Sequence, residues 1–291
     1  MPGRVSATAA VLLAVTSMAA AQQSINPPDA ARPSQQNPLI VEADAHYAQR
    51  QQGRVGALAS VREIGLAIAA YDTATEARDS AEARWKLARA LYFKGAYTGL
   101  DEDGQKAVYD KARRVGDEAV AIIERRVRNP MVFDARRDPD ASPSYFWAAV
   151  AWGQWALVSG KLEAARTGAA EKVRDYANAV IGLDPEFEYG GGYRLLGRLH
   201  DQAPWIPFLT GWVSREEALR YLRLAVKTDA KSMSNRVFLA EALASGSPAE
   251  KSEAIRLAES VVANAPSPAR LVEEIKLQND AREDLAKWKK P

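Results

Sequence analysis

Ala67-x3-Tyr71-x2-Ala74, followed in register by Trp85-x2-Ala88-Arg89-x2-Tyr92, decides how this 291-residue chain is read. The first string places small, aromatic and small side chains on one face of a helix. The second supplies the complementary face of the next helix. Alanine lets two helix backbones approach, and a ring one turn away fills the opposing hole. An antiparallel helix pair cannot bury both apolar faces alone, so each pair exposes a stripe that only the next can cover.

The pattern returns at Tyr193-x2-Leu196-Gly197-x2-His200, at Ala218-x3-Leu222-x2-Ala225 and at Ala254-x3-Ala258-x2-Val261, closed by Pro266. A degenerate pair lies between them, opened by Trp147-x2-Val150-Ala151 and closed by Ala177-x2-Val180, with Leu183-Asp184-Pro185 ending the helix. The step from Ala218 to Ala254 is close to the tetratricopeptide unit of about 34 residues. The expected fold is all-α: a tetratricopeptide-like helical-hairpin solenoid of about five helix pairs, with a capping helix over residues 268–289. Three segments break the period, residues 94–109, 129–144 and 202–214, and are expected to be loops on one face.

Hydrophobic residues make up 47% of the chain, which excludes wholesale disorder. The formal charge is +2 with both signs interspersed, too weak and too mixed a field for generic nucleic-acid binding. Residues 1–21 combine Arg4, a mostly apolar run over residues 7–15 and Ala19-Ala20-Ala21 before Gln22, the three parts of a secretory signal peptide. Cleavage after Ala21 and export to a periplasm are expected. Residues 22–40, rich in Pro, Gln, Ser and Asn at their start, read as a flexible linker, and residues 41–291 as one solenoid domain. There is no cysteine, hence no lipoprotein anchor, disulfide or thiolate chemistry.

Residues 141–160 carry no charge and hold Tyr145, Phe146, Trp147, Trp152 and Trp155. Ser142, Pro143, Ser144 and Gln154 interrupt the run, and its rings recur at helical spacing, so it reads as a buried solenoid helix rather than a membrane span. No integral membrane segment is expected in the mature chain.

The string Leu183-Asp184-Pro185, Tyr189-Gly190-Gly191-Gly192-Tyr193-Arg194-Leu195-Leu196-Gly197-Arg198-Leu199, Ala203-Pro204 and Phe238-Leu239-Ala240-Glu241-Ala242-Leu243 resembles the tetratricopeptide-repeat component associated with TRAP-type transporters, the tripartite ATP-independent periplasmic uptake systems. Weaker agreement extends through Tyr47-x2-Arg50 and residues 85–92. The resemblance implies a periplasmic protein without catalytic activity that associates with the transporter's solute-binding protein, assembles as a trimer and carries a ligand channel through each protomer. A scaffold for cell-envelope assembly fits the same repeats.

Binding candidates follow. Arg194 and Arg198, four residues apart, are placed to clamp a carboxylate, or to pair with Glu186, Glu188 or Glu241. Tyr189 and Tyr193 flank the glycine triplet, which permits a bend or a close backbone approach. Trp205, Phe208 and Trp212 make segment 202–214 strongly apolar, either as a plug folded back on the solenoid or as a surface for a hydrophobic ligand or partner. No catalytic or metal-binding set is apparent and no cofactor is implied. His46 and His200 are the only histidines and lie far apart, while Asp184, Glu186 and Glu188 sit at a helix boundary where carboxylates serve capping.

Overall fold

The computed structural model of the chain describes residues 37–128, 134–206 and 210–290. The predicted signal peptide and most of the predicted linker lie outside them. Twelve α-helices follow in order: α1 (Pro38–Ala48), α2 (Val61–Ala77), α3 (Ala81–Tyr97), α4 (Glu102–Val127), α5 (Ala141–Ser159), α6 (Lys161–Arg166), α7 (Ala169–Leu183), α8 (Phe187–Gln202), α9 (Arg215–Thr228), α10 (Met233–Ala244), α11 (Pro248–Ala263) and α12 (Leu271–Trp288). A 3-10 turn, Pro268–Arg270, precedes the last of them. Among the described residues there is no strand.

Seven of these helices start where a short polar side chain accepts a hydrogen bond from an otherwise unmet backbone N–H of the first turn: Asn37, Ser60, Ser80, Asp101, Ser214, Ser232 and Ser247. Ser247 and Glu250 complete a reciprocal capping box. The first helix begins at Pro38, inside the predicted linker, because Asn37 caps it and proline suits the first helical position.

Helices adjacent in sequence pack on one another from α1 to α12, with the short α6 set beside α5 and α7. They form five pairs, α1/α2, α3/α4, α5/α7, α8/α9 and α10/α11, and α12 covers the last, an arrangement consistent with a helical solenoid. The sequence seams are the packing seams: Ala67, Tyr71 and Ala74, then Ala218, Leu222 and Ala225, then Ala254, Ala258 and Val261 are all fully buried. A large apolar side chain sealed in this way contributes roughly 1.5–3 kcal/mol. Ala141–Ser159 form α5, so the charge-free run is helical up to its cap at Gly160, with Phe146, Trp152 and Trp155 buried in the core. No helix among the described residues is long and apolar enough to cross a membrane.

Segment 94–109 corrects the sequence reading. It is not a loop, because α3 runs on to Tyr97 and α4 starts at Glu102 under the Asp101 cap, leaving only residues 98–101 between them. Tyr109 lies on Gly95, where any side chain would collide with its ring at 2.4 Å. Segment 129–144 is likewise shorter than expected, since α5 already begins at Ala141.

The two ends of the described unit meet. After α1 the chain turns, and Gln51 donates to the carbonyls of Pro268 (3.1 Å) and Ala269 (3.3 Å) while its Oε1 accepts from Val272 N at 2.8 Å. The first turn of α12 has no cap from its own sequence, so Gln51 supplies one from the opposite end. Beside it, Arg50 donates to Glu273 Oε1 (2.8 Å) and to the Ala269 carbonyl (2.8 Å).

Two outcomes test this packing. Gly116 stands where α4 crosses α5, and a Cβ there would lie 2.8 Å from Ala148 Cα. Gly116→Ala is expected to cost about 1–3 kcal/mol by overpacking, read from denaturant unfolding, and unchanged stability would mean the helices do not cross there. The Arg50 and Glu273 side chains are 11% and 12% exposed. Glu273→Ala strands the arginine at a cost of about 3 kcal/mol and should speed amide hydrogen exchange in residues 49–54 as well as 268–274. Unaltered exchange at 49–54 would refute the closure.

Candidate functional site

Closing the ends leaves a chamber of about 960 Å3 on the concave side of the helix pairs. That is at the upper end of the range of small-molecule sites. Its wall is unequal in chemistry. One part is aromatic and cationic, and is built by the end of α1, by α3, by the start of α8 and by the 3-10 turn with α12. Tyr47, Tyr92, Phe93 and Tyr97 line it with Arg50, Arg89, Arg194 and Arg270. The other part is aliphatic and follows α5 to α7, with Val150, Gly153, Leu157, Ala165, Ala169 and Val173.

Each arginine of the first part lies against a ring, which attracts a planar cation through its electron-rich face. The guanidinium of Arg89 is 3.9 Å from the Tyr47 ring centre and 5.1 Å from that of Trp85. Arg50 lies 4.7 Å from Tyr47 and 5.2 Å from Phe93. Arg270 stands 5.5 Å over Tyr189 and 3.8 Å from the Glu188 carboxylate. Tyr92 and Tyr97 share a hydroxyl contact of 3.2 Å, and burial pushes the phenols of both up.

The glycine triplet supplies both the bend and the close approach. Glu188, Tyr189 and Gly190 take left-handed backbone angles (φ 48°, 62° and 79°), so α8 begins with a reversed turn before it straightens. Side chains at Gly191 and Gly192 would collide with Phe146 at 2.5 Å and Ile181 at 2.7 Å. The strained turn is held by its carbonyls: Arg194 Nη1 donates to Glu188 O (3.0 Å) and Asn235 Nδ2 to Tyr189 O (2.9 Å). Asn235 is fully buried, and its Oδ1 accepts from Arg194 at 2.9 Å. Burial pulls the Arg194 guanidinium down to about 10, which leaves it charged at neutral pH.

The predicted clamp is therefore divided. Arg194 and Arg198 both line the chamber, but Arg198 is engaged by Glu241 and by Asp201 at 3.2 Å and lies over the Phe238 ring at 4.2 Å. Burial pushes the Glu241 carboxyl up, with Arg198 opposing it. Tyr189 stands at the chamber rim, 48% exposed, whereas Tyr193 is half-buried and does not line the chamber.

Segment 202–214 does not act as one patch. Phe208 lies outside the described residues. Trp212 packs edge-on against His200 (5.3 Å) with Arg174 over it at 4.8 Å, whereas Trp205 is 64% exposed and donates to Gly211 O at 3.0 Å. Thr210 is buried and ties the loop, accepting from Ile206 N (3.0 Å) and donating to the Pro204 carbonyl. His200 stacks on Tyr221 at 5.8 Å and accepts from Ser214 N at 3.2 Å through Nδ1.

Arg50, Arg89, Arg270, Asn235 and the α5 trough were not among the sequence candidates. The available signal was cations lodged inside apolar seams, Tyr47-x2-Arg50 and Ala88-Arg89. Neither the scan against protein-family models nor the search of curated proteins returns a match.

Partial burial pulls the His200 imidazole below its ordinary value. The unfolded chain then takes up the proton first, so this residue's contribution is complete above about pH 6.5 and is lost as pH falls from there through the folded value. With two histidines in the chain, His46→Gln leaves a single imidazole to follow by NMR. Its midpoint is expected below 6.5, and a midpoint at or above that value would contradict the packing between Tyr221 and Trp212.

Proposed function

We propose that this protein is a non-catalytic periplasmic binding protein whose chamber takes up a small organic acid or apolar solute, acting as an accessory to a TRAP-type uptake system. The observation that carries this reading is the chamber itself, a volume of about 960 Å3 lined by rings and arginines. The fold supports it, because five stacked pairs with tied ends hold a preformed interior and association with a preformed site loses less ordering entropy. The signal-like leader and the glycine-arginine string that resembles the transporter component supply the cellular setting. Engagement of a solute-binding protein, and a trimeric assembly, belong to the same reading.

The residues near the chamber favour holding a ligand over transforming it. His200 is wedged between two rings. Binding of an acid there is electrostatic and hydrophobic, with no bond made or broken. The scaffold reading draws on one feature, the exposed Trp205 in a loop that Thr210 ties down. Aromatic residues of this kind are frequent anchors of protein contacts.

A pull-down of the mature protein from native periplasmic extract, beside Trp205→Ala, decides between them. Recovery of a periplasmic solute-binding protein, reduced at least about tenfold in the variant as expected for an anchor residue, is the outcome we expect. Recovery of envelope-assembly proteins alone would replace the transport reading with the scaffold.

A further inference from the structure

Resting on the binding reading above, we infer that the chamber's ligand is a single-tailed amphiphilic monoanion, its acidic head at Arg89 and Arg194 and its apolar tail laid along α5 towards Gly160. The chamber's cationic side chains outnumber its carboxylates two to one, six against three. The surplus is concentrated. Arg50 is matched by Glu273, Arg270 by Glu188 and Arg198 by Glu241 and Asp201. Among the described residues neither Arg89 nor Arg194 has a carboxylate at ion-pair distance, although the Glu188 carboxylate that meets Arg270 also acts on Arg194. Both are held on rings or neutral oxygens, Arg89 on Tyr47 and Arg194 on Glu188 O and Asn235 Oδ1. Each therefore keeps a full charge facing a partly dry interior, where an anion is worth more than it is in water.

Unused hydrogen-bonding capacity lies at the same pole. Arg89 Nε is a buried donor without a partner, which an anion can complete, whereas Glu273 Oε2, buried and also unpartnered, is an acceptor that an anionic head does not complete. Buried polar groups are rarely left so unless something else completes them.

The tail is argued from α5. Phe146 and Trp147 sit at the cationic pole, Phe146 6.0 Å from the Arg194 guanidinium and Trp147 5.7 Å from the Tyr92 ring. From there Val150, Gly153, Leu157 and Gly160 carry the wall down the same helix, about 21 Å at the α-helical rise. The facing residues of α7 are Ala169, Ala170 and Val173, and Gln154 and the exposed Lys161 are the polar side chains of this stretch. A short dianion would leave this trough unfilled, and a neutral hydrocarbon would leave two arginines unmatched. An amphiphile with one acidic head satisfies both ends.

Gly153 permits a clean block. A Cβ there would have Val173 at 4.0 Å as its neighbour, an ordinary contact, so Gly153→Leu, a helix-favouring change, is expected to place its side chain in the trough with native melting retained. Titration calorimetry would be run with dodecanoate, 1-dodecanol and succinate, all below the concentration at which they aggregate, against the wild type, Gly153→Leu and Arg89→Gln, each checked for native melting. Dodecanoate is expected to bind one per chain, dodecanol at least about tenfold more weakly, the value of a charge-assisted contact, and succinate not measurably. Gly153→Leu should abolish dodecanoate binding, and Arg89→Gln should bring dodecanoate close to dodecanol. Equal affinities for dodecanoate and dodecanol would overturn the head assignment. Tight succinate binding that Gly153→Leu leaves intact would overturn the amphiphile while the general binding reading stands. Silence from all three probes would overturn both.

Discussion

The contact between the loop after α1 and the first turn of α12 governs what kind of object this protein is. A stack of helix pairs has two open ends, each with unmet backbone groups and an uncovered apolar stripe. Here each end completes the other. Gln51 caps an N–H of α12 that its own sequence leaves uncapped, and Arg50 meets Glu273. Because Arg50 also stacks on Tyr47 and Phe93, the closure reaches α3 and the core seam behind it. Without it the concave face would be a wet groove, and the arginines along it would be screened by solvent. With it the same side chains surround a partly sheltered volume, where each unpaired charge acts at a lower effective dielectric than in open water.

How much of this was written locally decides how much was legible. The seams at Ala67-Tyr71-Ala74, Ala218-Leu222-Ala225 and Ala254-Ala258-Val261 were readable because close packing of helices is a constraint on neighbours three and four residues apart. The helix starts were readable from serine and asparagine caps for the same reason. The charge-free run 141–160 was read as a core helix, and its rings do pack inward. The closure was not legible. Gln51 and Pro268 are 217 residues apart, and their meeting depends on the accumulated twist of every intervening pair. Segment 94–109 was misread because the extra turns of a 26-residue α4 break the repeat period while remaining helical.

The candidate site divides along the same line. Arg194 and Arg198 stood out through their spacing, which is local, but what separates them is not: Glu241 takes one and Asn235 the other, from 43 and 41 residues away. Arg89 was hidden in plain view within the Trp85-Tyr92 seam, where a cation reads as a surface residue until the surface is found to be an interior. The aromatic segment 202–214 looked uniform because composition does not say which ring points inward. Thr210 and His200 settle that, turning Trp212 in and leaving Trp205 out.

The reversed turn at the start of α8 explains why the two unmatched arginines are not equivalent. Left-handed angles at Glu188 and Tyr189, neither of them glycine, cost of order 1–3 kcal/mol each. That strain persists because Arg194 and Asn235 hold the two carbonyls it exposes. Arg194 therefore has two duties, bracing the turn and charging the chamber, and its removal would disturb both together. Arg89 has no such duty towards the backbone: it rests on Tyr47 and Trp85 and meets the Tyr71 hydroxyl, side-chain contacts apart from the helix caps and from the carbonyls of the turn. It follows that Arg89 is the residue at which the chamber's charge can be altered apart from its shape. Any ligand that reaches Arg194 must, by the same geometry, lie beside the strained turn and feel its position.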